Sequence, residues 1–364
     1  MMGSNSNAQV YSRRLGALGP EQFQAALTRF SLGDFVEAAP IAGGLFGQNV
    51  FVTSTQGEYV LRGSPHYPWQ FPKEQLGAAL LHARTQVPVA HPYLLDPTPD
   101  IFGWPYLLMP RLQGTHPLAE HLSLPEKLAI AQALGQNLAR LQALTWPYAG
   151  GYDLASHTIQ PFPGGFAQWI AADIRSWRDT ARAGAAAAPA VTAEDVAWTE
   201  HVIAAAQPAL AVDFQPCFVM NDYNPGNLLV AQVPEMAQVP GTFGVPDTLG
   251  AHTWQVTGLF DLMEYYFGDG EADLMRLIAI YLDKEPQDGA RLAQAFATAY
   301  LAARPPRDGL QNFYARYTLY MLRDRAIVWE YGNRPENNWF PTLPSFRAYA
   351  EPYMATCRLF APTD

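Results

Sequence analysis

The sequence predicts an α+β chain of two lobes, a small, mostly antiparallel β lobe followed by a larger helical one. Three observations carry that reading. Residues 35–61 hold short β-branched and aromatic runs separated by glycine turns. From residue 124 onward, apolar residues recur at three- and four-residue spacing. One strand-rich island, 217–261, interrupts those helices. The 364 residues are long for one core, and an apolar fraction of 49% excludes a disordered chain.

In chain order, residues 1–34 read as an N-terminal helical extension, with an amphipathic helix over 20–32 built on Phe23, Ala26, Leu27 and Phe30 after Pro20. Residues 35–110 form the first lobe. Phe35-Val36, Asn49–Thr53 and Glu58–Leu61 are its strands, and Gly43-Gly44, Gly47 and Thr55-Gln56-Gly57 are its turns. A helix follows over 72–86, with Pro72 in its first turn, then proline punctuation over 88–99 and a buried strand from Pro105 to Leu112. Residues 111–364 form the second lobe, with helices over 124–144, 165–182, 192–212, 271–283, 288–303, 308–331 and 341–359. Ala183–Ala190 is a low-complexity loop, and 231–253 is a Pro/Gly-rich insertion between two strands of the island.

Composition excludes several function classes. Net charge is −10 with only 23 Lys+Arg, which argues against a nucleic-acid groove. The two cysteines, Cys217 and Cys357, lie far apart and make neither a disulfide framework nor a zinc site, so a reducing cytoplasm is expected. Residues 1–14 are polar, unlike a signal peptide, and no apolar run approaches the ~20 residues needed to span a bilayer.

The strongest local signal is Asn221-Asp222-Tyr223-Asn224-Pro225-Gly226-Asn227, between the apolar segments Phe218–Met220 and Leu228–Val230. A turn between two buried strands aims an Asp and an Asn five positions apart at one spot. Such a carboxylate can orient and deprotonate a hydroxyl, and such an amide oxygen can hold a metal. Read alone, the segment is equally a polar hairpin capped by its own Asx side chains. Downstream, Val256–Phe260 reads as a strand delivering Asp261 at its end, close to Asn227 if the two strands pair. Asp269 then reads as a helix N-cap, and Asp273 as a brace for the catalytic turn.

Taken together, these blocks resemble the aminoglycoside phosphotransferase and choline kinase family, a branch of the protein-kinase-like fold. That family carries H-G-D-x-x-x-x-N, then a strand ending in I-D, then G-D-x-x-x-D. Here the blocks read Met220-Asn221-Asp222…Asn227, Phe260-Asp261 and Gly268-Asp269…Asp273. The resemblance implies that Asp222 is the catalytic base and that Asn227 and Asp261 are Mg²⁺ ligands. It also implies that Gly44 and Gly47 belong to a loop covering phosphates, although such a turn is by itself an ordinary hairpin. Arg62 stands where the family's phosphate-binding lysine stands, with Glu74 as its helix partner. Met109, Pro110 and Leu112 form the hinge that meets the base: Pro110 keeps a carbonyl to accept from it, and Leu112 keeps an N–H to donate. Three positions depart from the pattern: Met220 replaces a His, Asn221 a Gly, and Gln142 another His at a helix end.

The implied cofactors are Mg²⁺ and ATP or GTP, and the implied partner is a small hydroxylated acceptor. Glu264, Tyr266, Asp324 and Trp329 are its candidate contacts. Carboxylates among aromatics suit a hydroxylated amine or amino sugar, although aromatics at such positions also simply pack helices. Two other readings stay open: a catalytically silent kinase-like module that binds nucleotide or a partner, and an unrelated hydrolase using Asp222 and Asp261 as a metal pair.

Overall fold

The computed structural model describes residues 8–41, 47–184, 191–234, 252–335, 337, 339–340 and 343–360. Gly43 and Gly44, most of the 231–253 insertion and most of the low-complexity loop lie outside the described residues.

The chain opens with a hairpin of β1 (Gln9–Ser12) and β2 (Gly16–Leu18), where only a helical extension was expected. Helix α1 (Pro20–Arg29) follows. Pro20 at its first turn needs no N–H, and the Gln22 side chain accepts the Gly19 N–H at 3.0 Å. Next come β3 (Phe35–Pro40), β4 (Asn49–Ser54), β5 (Gly57–Gly63), α2 (Gln70–Arg84), β6 (Leu94–Asp96) and β7 (Tyr106–Pro110). The five strands form one antiparallel sheet in the order β3-β4-β5-β7-β6.

The two-residue period of a strand sorts this sheet's side chains. Leu61, Tyr106 and Leu108 face a core closed by Phe23 and Leu27 of α1. Val60, Leu107 and Met109 face the opposite side, where Phe71, Ala78 and Leu81 of α2 pack. Arg62, one residue past Leu61, shares the face of Val60 and is thereby directed beneath α2.

The second lobe contains α3 (Leu124–Leu141), β8 (Gly150–Asp153), β9 (Thr158–Pro161), α4 (Gly165–Gly184), α5 (Ala193–Leu210), β10 (Cys217–Val219), β11 (Leu228–Pro234), β12 (His252–Leu259) and β13 (Tyr266–Gly268). It closes with α6 (Leu274–Lys284), α7 (Gly289–Ala303), α8 (Leu310–Gly332) and α9 (Phe346–Met354). Ser123 and Glu126 start α3 as a capping box, with the Ser123 N–H donating to Glu126 at 2.8 Å. Helices α3 and α7 run so close at Gly135 that a Cβ there would lie 2.2 Å from the Phe296 carbonyl oxygen.

Two details correct the expected helices. The segment before α6 is a tight 3-10 turn, Gly270–Asp273, capped by the Asp269 side chain accepting the Glu271 N–H. The last helix begins only at Phe346, where the Ser345 hydroxyl accepts the Ala348 N–H, and it ends in a 3-10 turn, Ala355–Phe360. Among the described residues, no helix is long and apolar enough to cross a membrane.

Candidate active site

Strands β10 and β11 are joined by the turn that carries Asp222. Its backbone is held from below by Asp273, whose two carboxylate oxygens accept the Met220 and Asn221 N–H groups, each at 2.7 Å. Asn221 has φ 68°, in the left-handed region that glycine favours. Asparagine tolerates this conformation better than most residues. The Asn221 side-chain oxygen also accepts a hydrogen bond from Arg323 of α8, an anchor that glycine would lack.

Farther along, Asn224 Oδ1 accepts the Gly226 N–H at 2.7 Å, so the turn does have its own Asx cap. That cap coexists with a second geometry. Asn227 Nδ2 donates to Asp222 Oδ2 at 2.9 Å and to the Asp222 carbonyl at 3.1 Å. With its amide nitrogen committed, Asn227 keeps Oδ1 as the atom suited to a metal.

The second block is delivered by β12. Its antiparallel pairing with β11 sets Leu228 opposite Leu259, and the Phe260 N–H donates to the Asn227 carbonyl at 3.2 Å. Asp261 follows at φ 62°, another left-handed position. Its Oδ1 meets Arg62 Nη2 at 2.8 Å, and the same nitrogen lies 3.3 Å from Glu74 Oε1. Arg62 thus joins α2 of the first lobe to the end of β12 in the second.

Four buried polar atoms gather around this arginine without a protein partner: Asn49 Oδ1 opposite Arg62 in the sheet, Arg62 Nε, Glu74 Oε2 and the Tyr93 hydroxyl. Buried polar groups are ordinarily paired, so this unpaired set beside the Arg62–Asp261 pair marks a polar spot between the lobes. Among the described residues, no cluster of three or more His, Cys, Asp and Glu forms a metal cage. One carboxylate and one amide fit an ion that takes its remaining ligands from substrate phosphates and water, the usual Mg²⁺ arrangement.

The hinge runs out of β7. Pro110 pairs with Tyr59, and the Arg111 N–H donates to the Glu58 carbonyl at 3.0 Å. Beyond it, Thr115 and Val230 exchange two backbone hydrogen bonds of 2.9 Å, and Thr257 Oγ1 donates to the Gln113 carbonyl at 2.7 Å. Met109 is buried on the α2 side of the sheet. Leu112 closes over Gly258, where an added Cβ would lie 3.1 Å from Leu112 Cδ1. Gly47 holds φ 58°, and its carbonyl accepts the Ser12 hydroxyl.

Electrostatics are set by burial. The Asp222 carboxyl is pushed up by desolvation and pulled back by Arg276 and by the amides of Asn224 and Asn227. Arg276 Nε lies 3.8 Å from Asp222 Oδ1 and 2.7 Å from Asp324 Oδ1. Burial also raises Glu74, against the pull of Arg62. Gln142, in place of the family's His, is a buried hub: it donates to the Gly270 carbonyl and accepts from the Tyr300 hydroxyl, both at 2.8 Å.

Beside Asp222 opens a cavity of ≈ 160 Å³. Asn221, Asp222 and Asp261 form its floor, and Arg276 and Glu264 one side. Met263, Ile327 and Val328 line the apolar wall, with Trp177, Tyr331 and Trp339 also lining it. Of the four candidate acceptor contacts, Glu264 lines this cavity, while Asp324 sits behind it gripping Arg276. The other two lie elsewhere. Tyr266 belongs to an aromatic cluster with Phe162, Phe166 and Trp169. Trp329 is 1% exposed and stacks on Phe340 and Tyr349 in the core. Sequence reasoning missed Trp177 and Arg276. For Arg276 a signal existed, since it follows Asp273 by three residues at the start of a helix and so rises from the same side.

The model of the phosphotransferase enzyme family matches residues 37–238, more than half of the chain. No curated protein matches it. Many solved structures share its fold, three of them as follows. A Ralstonia eutropha protein described as an aminoglycoside phosphotransferase is 15% identical, with 93% of this chain and 96% of that one covered and a TM-score of 0.58. Aminoglycoside phosphotransferase APH(4)-Ia, a thermostable mutant bound to ADP and hygromycin B, is also 15% identical, with 93% and 98% covered and a TM-score of 0.55. The choline kinase LicA of Streptococcus pneumoniae is 14% identical, with 92% and 98% covered and a TM-score of 0.54. Matched over more than half its length, with the family's blocks gathered in one cleft of a protein-kinase-like fold, the chain belongs to the phosphotransferase enzyme family, as a small-molecule kinase with a hydroxyl acceptor.

Proposed function

We propose that this kinase transfers the terminal phosphoryl group of Mg²⁺-bound ATP or GTP to a hydroxyl of a hydroxylated amine or amino sugar. The observation that carries the reading is the Asn227 amide, which fixes Asp222 through its nitrogen while its backbone carbonyl tethers the segment ending in Asp261. Three polar side chains 39 residues apart at the extremes are thereby held in one cleft.

In this reading residues 35–110 form the nucleotide-binding lobe, and 111–364 the catalytic and acceptor-binding lobe. The Pro110 carbonyl and Leu112 N–H meet the base, with Met109 behind it. Gly44 and Gly47 belong to the loop over the phosphates, and Glu74 holds Arg62 ready for them. Asn227 and Asp261 would hold Mg²⁺, which when bound supplies neutralising charge to the terminal phosphates. Asp222, oriented by Asn227, takes the acceptor hydroxyl as a hydrogen-bond donor, aims it in line and accepts its proton as the bond to phosphorus forms. Glu264 faces the acceptor from the cavity side. Positioning and charge stabilisation then supply most of the rate.

The test is a screen of the purified protein with Mg-ATP and Mg-GTP against hydroxylated amines and amino sugars, reading nucleoside diphosphate release. Asp222→Asn should abolish transfer and spare nucleotide binding. Asn227→Ala and Asp261→Ala should each lose Mg²⁺-dependent turnover without unfolding. Nucleotide binding by the wild type without turnover of any acceptor would instead indicate a silent binding module.

A further inference from the structure

The acceptor cavity is lined by Asn221, Asp222, Asp261, Glu264 and Arg276 together with aliphatic and aromatic side chains, and most of those five polar groups are already engaged. Asn221 Oδ1 accepts from Arg323, and Asp261 is paired with Arg62. Arg276 is paired with Asp324, and Asp222 Oδ2 accepts from Asn227. Glu264 makes no direct ion pair among the described residues, and burial raises its carboxyl against the pull of Lys73. The rest of the lining is Met263, Ile327, Val328 and Trp339, with Trp177 and Tyr331 forming an aromatic pair at 6.2 Å between ring centroids.

A ligand hydroxyl buried against the aliphatic part of such a wall loses its water and gains no partner there. A polyhydroxylated ring carries several such groups, whereas an apolar or aromatic body gains from the same surface. The cavity of ≈ 160 Å³ has room for the volume of one benzene ring, about 150 Å³, and it opens to solvent.

We infer that the acceptor is a compact alcohol, with one hydroxyl delivered to Asp222 and an aromatic or branched aliphatic body lying against Trp177, Ile327 and Val328. A polyhydroxylated sugar gains less from that wall than such a body does. A single amine on that body is compatible with Glu264. This inference rests on the phosphotransferase reading and, within it, sets apolar alcohols ahead of the amino sugars.

The experiment compares 2-phenylethanol and phenylalaninol with glucosamine and an aminoglycoside, all with Mg-ATP and Mg-GTP and the full chain. Diphosphate release and the phosphorylated product are both measured, and nucleotide binding is followed separately. The aryl alcohols should exceed glucosamine in kcat/KM by roughly tenfold or more, the discrimination an apolar pocket delivers. Trp177→Ala should reduce that ratio by about tenfold, and the near-isosteric Val328→Thr by a smaller factor, with nucleotide affinity unchanged. Equal or better turnover of glucosamine or the aminoglycoside overturns the inference and leaves the phosphotransferase reading standing. An unchanged ratio in a folded Trp177→Ala variant also overturns it. Absence of turnover on every acceptor, with nucleotide still bound, overturns both.

Discussion

Arg62 on β5 and Asp261 beyond β12, 199 residues apart, are joined by a 2.8 Å ion pair, and the same guanidinium lies 3.3 Å from Glu74. Arg62 and Glu74 are nearly inaccessible to solvent, so each depends on the other for its charge. Removing one partner of a buried pair leaves the other uncompensated. Arg62→Met is expected to destabilise the protein by about 3–5 kcal/mol, with Arg62→Lys recovering part of the loss. Chemical denaturation of the two variants checks this, and equal stability of Arg62→Met and wild type would refute it.

Asp273 acts on the catalytic turn through two backbone N–H groups and touches no reactant in the proposed mechanism. Asp273→Asn replaces a charged bidentate acceptor by one oxygen and a donor, and should cost about 2 kcal/mol of stability. Misplacement of Asp222 should lower kcat by roughly 10²-fold. Steady-state kinetics should find the KM for nucleotide nearly unchanged, because the hinge and Arg62 do not lean on Asp273.

Asn221 combines a left-handed backbone with an anchored side chain, and substitutions can separate the two. Asn221→Gly keeps the conformation and loses the Arg323 bond, while Asn221→Ala loses both and adds strain of about 1–2 kcal/mol. The alanine variant should therefore denature at lower urea than the glycine variant. The reverse order would remove backbone strain as the reason for the residue found here.

Glu200 of α5 accepts from Arg175 at 2.7 Å and from Arg178 at 2.8 Å, tying α5 to α4. Those hydrogen bonds hold its carboxyl down at about 2, against an ordinary 4.5. A depressed folded value means the carboxylate stabilises the fold above pH 4.5, and that contribution is lost as the pH falls to about 2. Glu200→Gln should lower the Tm at neutral pH, and the gap from wild type should close as pH approaches about 2. A gap independent of pH would show that the arginines do not act through the ionised carboxylate. The pair is partly exposed, so the effect at neutral pH is small.

The sequence was most legible where a local rule dictated the outcome. Short β-branched and aromatic runs between glycine turns made β4 and β5 readable, an apolar run made β7 readable, and the pairing of β11 with β12 followed from two apolar runs flanking an insertion. The brace by Asp273 was visible as an acidic residue at fixed spacing. What escaped were short strands with no period of their own: β2, β6 and β13 have three residues each, and β1, β8 and β9 have four. Tertiary pairing, with no local pattern, makes these strands. The acceptor cavity was only partly legible, because helical spacing shows that α8 has a buried face without showing which neighbour covers it. Trp329 is covered by Phe340 and Phe346, while Ile327 and Val328, only two and one positions earlier, reach the cavity.

The reciprocal backbone bonds between Thr115 and Val230 make the strap leaving the first lobe a short extra edge of the β11–β12 ribbon. Five residues earlier, Pro110 is still part of the sheet of the other lobe. The covalent passage between the lobes is thereby reduced to the few torsions between Arg111 and Gly114, and a second tie lies where the Leu259 N–H donates to the Pro88 carbonyl at 2.8 Å. The segment whose backbone would grip the nucleotide base is thus also one of the joints between the lobes, so occupying the base site would stiffen that joint.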